Sequence, residues 1–254
     1  MTAKPTDYLV PAAVLFPFAF LLLLSCAQQW VFPHLLPAGW SPGAWLNALG
    51  GDGDLGGSLL RSFLIALTVA SSATGLGFFT ARNLSRHPWG ERLLRLAYLP
   101  YIFAPVILAA CLQYYFLRLH LTGTLLGVVL AQFIIVFPYT VILSSGFWNP
   151  RMLATEQVAL SLGATPAQAA RKILLPLAKG PLLVVFFQAF LISWFEYGLT
   201  LLIGVGKVRT LPLRVFDFVN EANIFYAAMA ACLLSIPPVV LLVVNRKLLF
   251  VARE

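Results

Sequence analysis

The chain has 254 residues, 60% of them apolar and only 10% charged, with a mean hydropathy of +0.88. That composition excludes an ordinary soluble globular domain and predicts a polytopic membrane protein. The net charge of +8 would suit nucleic acid, but where the charges fall gives them another meaning.

Apolar runs of about 20 residues, long enough to cross the hydrocarbon core, recur at 8–30, 59–79, 93–117, 125–147, 181–203 and 225–244. Pro100, Pro105 and Pro138 fall in the third and fourth, where neighbouring helices can satisfy the freed carbonyls. With a cytoplasmic N-terminus, the inner segments hold Lys4, Arg82, Arg86, Arg92, Arg95, Arg151, Arg171, Lys172, Lys179, Arg246, Lys247 and Arg253. The outer segments hold Arg61, Arg118, Lys207, Arg209 and Arg214, the rest of the 17 basic residues. This is the positive-inside asymmetry, with both termini in the cytoplasm. The basicity reports orientation; the implied partner is membrane lipid, not nucleic acid.

The first run ends in Leu23-Leu24-Ser25-Cys26-Ala27, faintly like a lipoprotein cleavage box, but it is longer than a signal h-region and is read as a retained span. Cys26, Cys111 and Cys232 lie singly in apolar runs and read as buried small hydrophobes, not metal ligands. The outer segment 31–57 is rich in Pro, Gly and Trp and lacks a helical period. Trp30, Trp40 and Trp45 suit the membrane interface. Within it Gly51-Asp52-Gly53-Asp54-Leu55-Gly56 spells a dinucleotide fingerprint, yet no strand precedes it, so it reads as a flexible loop.

The second span runs into Thr80-Ala81-Arg82 and a basic inner loop. The third carries Gln113, Tyr114 and Tyr115 near its outer end. A tight connection follows, with Gly123 and Gly127 at the spacing that lets membrane helices approach closely.

The segment 149–176 is too polar to span and reads as two short helices. Asn149 caps the first, with Pro150 at its first position, and Gly163 follows its end. Thr165 caps the second, with Pro166 next and Gln168 completing a capping box. Each has two to three turns, too few for stability alone in water. Both carry apolar residues: Met152, Leu153, Val158, Leu160 and Leu162, then Ile173 and Leu174. Part of that surface can pack on the chain's own spans; the rest predicts a docking face.

In the fifth span, Glu196 is the one intramembrane acidic residue. Ser193, Glu196 and Thr200 share a helix face at i, i+3 and i+7. Two readings stand for this stripe: a pathway lining, or a packing contact between Glu196 and a nearby Arg or Trp. Gly204-Val205-Gly206-Lys207 lacks the earlier glycine of a phosphate loop. The stretch 208–223 predicts a short outer helix. Pro237-Pro238 kink the last span, and Arg246-Lys247 anchor its inner end.

His34, His87 and His120 fall in three different loops. No nucleophile elbow, HExxH motif or intramembrane carboxylate pair is present. These absences argue for transport or structure over chemistry, with no cofactor bound by this chain.

Glu156-Gln157-Val158, then Gly163, then Ile173-Leu174-Leu175-Pro176 resembles the EAA signature of binding-protein-dependent ABC importer permeases. Gln157-Val158 stands where that family usually has two alanines. Ser58-Leu59-Leu60-Arg61-Ser62, Pro100, Pro105, Thr124-Leu125-Leu126-Gly127, Pro138 and Ser193-Trp194-Phe195-Glu196 extend the likeness. It is nearest to the polyamine, iron(III), thiamine and phosphonate permeases.

The resemblance implies a single permease domain over 1–254, an all-α membrane protein of six transmembrane helices with a two-helix cytoplasmic coupling loop. It implies a half-permease that works with a second permease subunit, more often a paralogue than a copy. An ATPase subunit dimer carrying ATP and Mg, and an extracytoplasmic solute-binding protein, complete the assembly. Glu156, Gln157, Val158, Leu160, Gly163, Ala164, Pro166, Ile173 and Pro176 would be the ATPase-coupling residues. Glu156 would either contact the ATPase or lock the loop, and Ser193, Glu196 and Thr200 would be the pathway candidates. The competing expectation is an ion-coupled secondary transporter with Glu196 as its proton site.

Overall fold

The computed structural model describes residues 6–30, 37, 39–41, 43–50 and 54–251. Lys4, Arg253, His34 and Gly51-Asp52-Gly53 lie outside them, as do the side chains of Arg246 and Lys247. The chain divides into two units, residues 1–62 with 209–254, and residues 63–208.

In the first unit α1 (Thr6–Cys26) and α11 (Leu211–Asn220) both pack on α12 (Ile224–Val251). The outer segment holds more order than its composition predicts. β1 (Ala27–Gln29) pairs antiparallel with β2 (Gly39–Trp40), and α2 (Ala44–Gly50) follows. Asp54 accepts from Arg61 at 2.5 Å and Arg61 reaches the Arg209 carbonyl at 3.3 Å, so Asp54 serves the fold. The predicted outer helix is α11, and its Leu211 N–H donates to the Ser62 hydroxyl at 2.7 Å. The last helix runs on through Pro237 and Pro238. Two cysteines are half-buried, but Cys111 is exposed, against the expectation of burial.

The second unit takes most of α3 (Leu55–Arg86), then α4 (Gly90–Leu96), a 3-10 turn at Leu99–Ile102, α5 (Pro105–Arg118) and α6 (Leu125–Ser145). After these come α7 (Pro150–Ser161), α8 (Pro166–Ala169), a π turn (Ala170–Leu174), α9 (Leu175–Trp194) and α10 (Gly198–Gly204). Four helices among the described residues are long and apolar enough to cross a membrane, five if one broken pair counts as a span.

That broken pair corrects the third predicted span. Gly90–Ile102 and Pro105–Arg118 meet at 96°. Pro105 forces Ala104 into an extended conformation (φ −61°, ψ 142°), which no continuous helix accepts. The fifth span also departs from expectation: it breaks at residues 195–197, and its outer part is α10.

The glycine pair in the tight turn has a different use from the one its spacing suggests. Gly123 turns the chain at φ +76°, and a side chain on Gly127 would strike the loop's own Leu121 carbonyl. Close approach of spans occurs instead at Gly77, where an added Cβ would lie 2.2 Å from the Thr140 hydroxyl on α6. Two buried clusters hold this unit. One joins Phe78, Val141, Trp148 and Leu174; the other joins Ala109, Phe116, Ile135, Leu199 and Ile203.

Candidate functional site

The capping residues make α7 an independent short helix. Asn149 accepts from the Met152 N–H at 3.1 Å, and Pro150 occupies the first position. At the other end Gly163 adopts φ +86°. Its N–H reaches the Leu160 carbonyl at 3.0 Å while the Ala164 N–H reaches Ala159 at 3.1 Å. These paired bonds form a Schellman stop, which needs a left-handed residue at the glycine's position.

The inner face of α7 carries Glu156, fully buried, and Ala159. Arg82 and Arg86, one turn apart at the foot of α3, both pair with the Glu156 carboxylate. Trp148, just after α6, donates its indole N–H to the Phe78 carbonyl at 3.1 Å and lies under the Arg82 guanidinium. Burial pushes the Glu156 carboxyl up, but hydrogen bonds and charge from Arg82 and Arg86 outweigh it and hold it below the ordinary glutamate range.

The outer face is the converse. Gln157 and Ser161 are exposed, Val158 is 59% exposed and Leu162 83%. Val158 and Leu162 stand one turn apart, so they form one small apolar surface. Leu160 is half-buried.

The second predicted coupling helix is not a separate body. Thr165 and Gln168 form the capping box, with bonds of 2.9 and 3.2 Å, and Pro166 begins α8. The helix then passes through the π turn straight into α9, a continuous run over Pro166–Trp194. Pro176 explains the π turn: it has no N–H, and its ring would clash with the carbonyl four residues back. The wider turn, with the Leu175 N–H bonded to the Ala170 carbonyl, avoids that clash. Pro166 and Pro176 are exposed, whereas Ala164 and Ile173 are half-buried.

Ser193, Glu196 and Thr200 do not share one continuous helix. Ser193 lies in the last turn of α9, Glu196 in the break and Thr200 in α10. The fold nevertheless gathers them through Gln132 of α6. Ser193 donates to Gln132 at 2.5 Å, Gln132 to Thr200 at 3.0 Å and Thr200 to Glu196 at 3.2 Å. Glu196 also accepts from the N–H groups of Leu199 and Thr200 at 2.9 and 3.0 Å, satisfying the first turn of α10. Ser193, Gln132 and Thr200 are all buried inside this unit.

Sequence reading missed Arg82 and Arg86 as partners of Glu156, and Gln132 as the hub of the buried chain. Gln132 did leave a signal: it is the one amide in the apolar run 125–137.

Residues 73–249 match the family described as binding-protein-dependent transport system inner membrane component. The chain is 30% identical over 227 residues to a putative 2-aminoethylphosphonate transport system permease protein of Salmonella typhimurium, covering 85% of this chain and 83% of that protein. It is 28% identical to a trehalose transport system permease protein of Mycobacterium tuberculosis, over 77% and 74% of the two chains. A molybdenum transport system permease protein of Mycobacterium bovis shares 32% identity, over 59% and 63%. The fold is similar to a chain of a bacterial ABC transporter that imports the acidic polysaccharide alginate. The TM-score is 0.62 and the identity 17%, over 94% of this chain and 92% of that one.

Proposed function

This chain belongs to the binding-protein-dependent inner membrane permeases and is a non-catalytic transmembrane subunit of an ABC importer; from that premise we propose that α7 is its coupling helix. The ATPase subunit seats on Val158, Leu162 and Gln157, with Gly163 setting the turn beneath them. Glu156 does not reach the ATPase; it fastens α7 to α3 through Arg82 and Arg86. The single observation that carries this reading is the division of α7 into a face locked by a buried carboxylate and a face left apolar and exposed. A helix fastened on one side and open on the other transmits a push to the spans instead of rolling under it. Ile173 and Pro176 act within the continuous helix Pro166–Trp194, which carries the displacement into α9.

The whole chain forms one permease domain of six spans, with α1 as the first, the broken α4–α5 segment as the third, and both termini cytoplasmic. It makes half of a pathway with a second permease subunit, a paralogue by family habit. A solute-binding protein delivers cargo from outside, and ATP and Mg reside on the ATPase pair. ATP-driven closure of that pair shifts a two-state equilibrium between outward and inward openings. The ion-coupled alternative, with Glu196 as its proton site, gives way to the match with the binding-protein-dependent permeases.

A photo-crosslinking residue at Leu162 tests this directly. It should capture the ATPase subunit in the assembled complex, whereas the same probe at buried Ala159 should not. Capture from neither position would refute the seating.

A further inference from the structure

Of the polar residues in the spans of the second unit, most are already satisfied. Thr68 and Ser71 are exposed on α3, but their hydroxyls donate to the Leu64 and Leu67 carbonyls of the same helix, each at 2.7 Å. Such residues tolerate lipid. Gln132, Ser193 and Thr200 are buried and mutually bonded. The Thr74 and Ser144 hydroxyls are buried without a partner among the described residues, and among the exposed residues one amide stands out.

Gln188 is exposed on α9, within its spanning length. Its side-chain oxygen accepts from the Tyr139 hydroxyl of α6 at 2.9 Å, and its amide N–H groups have no acceptor among the described residues. Beside them, Tyr101, 41% exposed, donates to the Ile135 carbonyl and sets its ring edge-on to Tyr139, centroids 6.4 Å apart. An amide with unmet donors cannot face hydrocarbon without a steep desolvation penalty. Water, a passing polar solute or a polar group of the second permease subunit must meet it.

We propose that Gln188, Tyr139 and Tyr101 form a neutral hydrogen-bonding station on the wall of the translocation pathway. The station is more open than the Ser193, Glu196 and Thr200 group, in which Ser193 and Thr200 are buried and Glu196 is half-buried. It offers a rigid amide and two aromatic faces and carries no charge. It would therefore hand a small polar solute along by hydrogen bonds and ring contact, without holding it by a countercharge. Tyr139 fixes the amide by occupying its oxygen, so the free N–H edge is the part presented to cargo. Tyr101, anchored to the α6 backbone, limits how far the Tyr139 ring can swing. This inference rests on the permease reading and gives it a site.

The test uses the complete complex in proteoliposomes: this chain, its partner permease, the ATPase and the solute-binding protein. In a background with Cys26, Cys111 and Cys232 replaced by serine, Gln188→Cys is treated with a charged, water-soluble methanethiosulfonate, which reacts only where water reaches the thiol. We expect labelling of Gln188→Cys, with uptake blocked afterwards. In a separate variant, Gln188→Leu should lower uptake about tenfold while leaving ATPase assembly intact. Tyr139→Phe should lower it less. A Gln188→Cys that stays unlabelled with and without ATP, together with undiminished uptake by Gln188→Leu, overturns the station alone. Absence of ATP-driven uptake in the unsubstituted complex overturns the permease reading beneath it.

Discussion

Glu156 of α7 is fully buried and pairs with Arg82 at the foot of α3, 74 residues earlier in the chain. This contact ties a short helix, too small to hold itself, to a 32-residue helix. Removing one partner of a buried ion pair costs about 3–5 kcal/mol because the other charge is stranded. Here Arg86 is 43% exposed, so water relieves part of that loss. Glu156→Ala should therefore cost about 2–3 kcal/mol in the docking of α7. Arg82→Ala should cost a similar amount and Arg86→Ala less than about 1 kcal/mol. Amide exchange of 150–161 measures each, and equal effects for the two arginines would contradict the ranking.

The same pair fixes a pH dependence. The Glu156 carboxyl is held below its ordinary range, so its stabilisation is fully present above the unfolded value of about 4.3. It is lost as pH falls from there through the lower native value. Protection of α7 should be flat from pH 7 to about 5 and decline only below about 4.3. A decline between pH 7 and 5 would mean the carboxyl is not held by arginine.

Gly163 is a backbone requirement and not a spatial one. No atom lies within 4 Å of a Cβ added there, yet φ is +86°. Asparagine visits this region readily, whereas a β-branched residue does not. Gly163→Asn should leave assembly and uptake close to normal, and Gly163→Val should destabilise the α7 stop by about 1–2 kcal/mol. Equal behaviour of the two variants, read by amide exchange and uptake, would point to a contact with another subunit at this position.

Gln132 is the hub of the buried polar chain. Gln132→Leu strands the Ser193 hydroxyl, while Thr200 keeps Glu196 as an acceptor. The expected loss is about 1–3 kcal/mol in thermal unfolding of the purified complex. The Gln132→Leu, Ser193→Ala double variant should recover part of it, since no hydroxyl is then left unpaired. Failure to recover would place Ser193 outside this network.

The features legible in the sequence are the local ones. Asn149, Pro150, Gly163, Thr165 and Gln168 mark helix ends by chemistry confined to four residues, and each acts as expected. What escaped depends on partners distant in the chain. Arg82 and Arg86 read only as basic residues of an inner loop, because nothing in their neighbourhood announces Glu156. The breaks at Ala104 and at 195–197 escaped for a related reason. A proline in an apolar run can be accommodated or can end a helix, and the neighbouring helices decide. The shared helix face of Ser193, Glu196 and Thr200 was misread because a period of 3.6 assumes an unbroken helix, and α9 ends at Trp194. The second short helix did not stay separate for a similar reason: a π turn carries it past Pro176 into α9.

The account centres on the exposed apolar edge of α7. Its most direct test is co-purification of the ATPase subunit with the Val158→Asp, Leu162→Asp double variant, alongside uptake by the reconstituted importer. Both side chains are already in solvent, so the permease itself should fold and insert normally. The prediction is loss of the ATPase from the complex and loss of uptake, with amide protection of α7 unchanged. An ATPase that stays bound and still drives uptake past two buried carboxylates would contradict it.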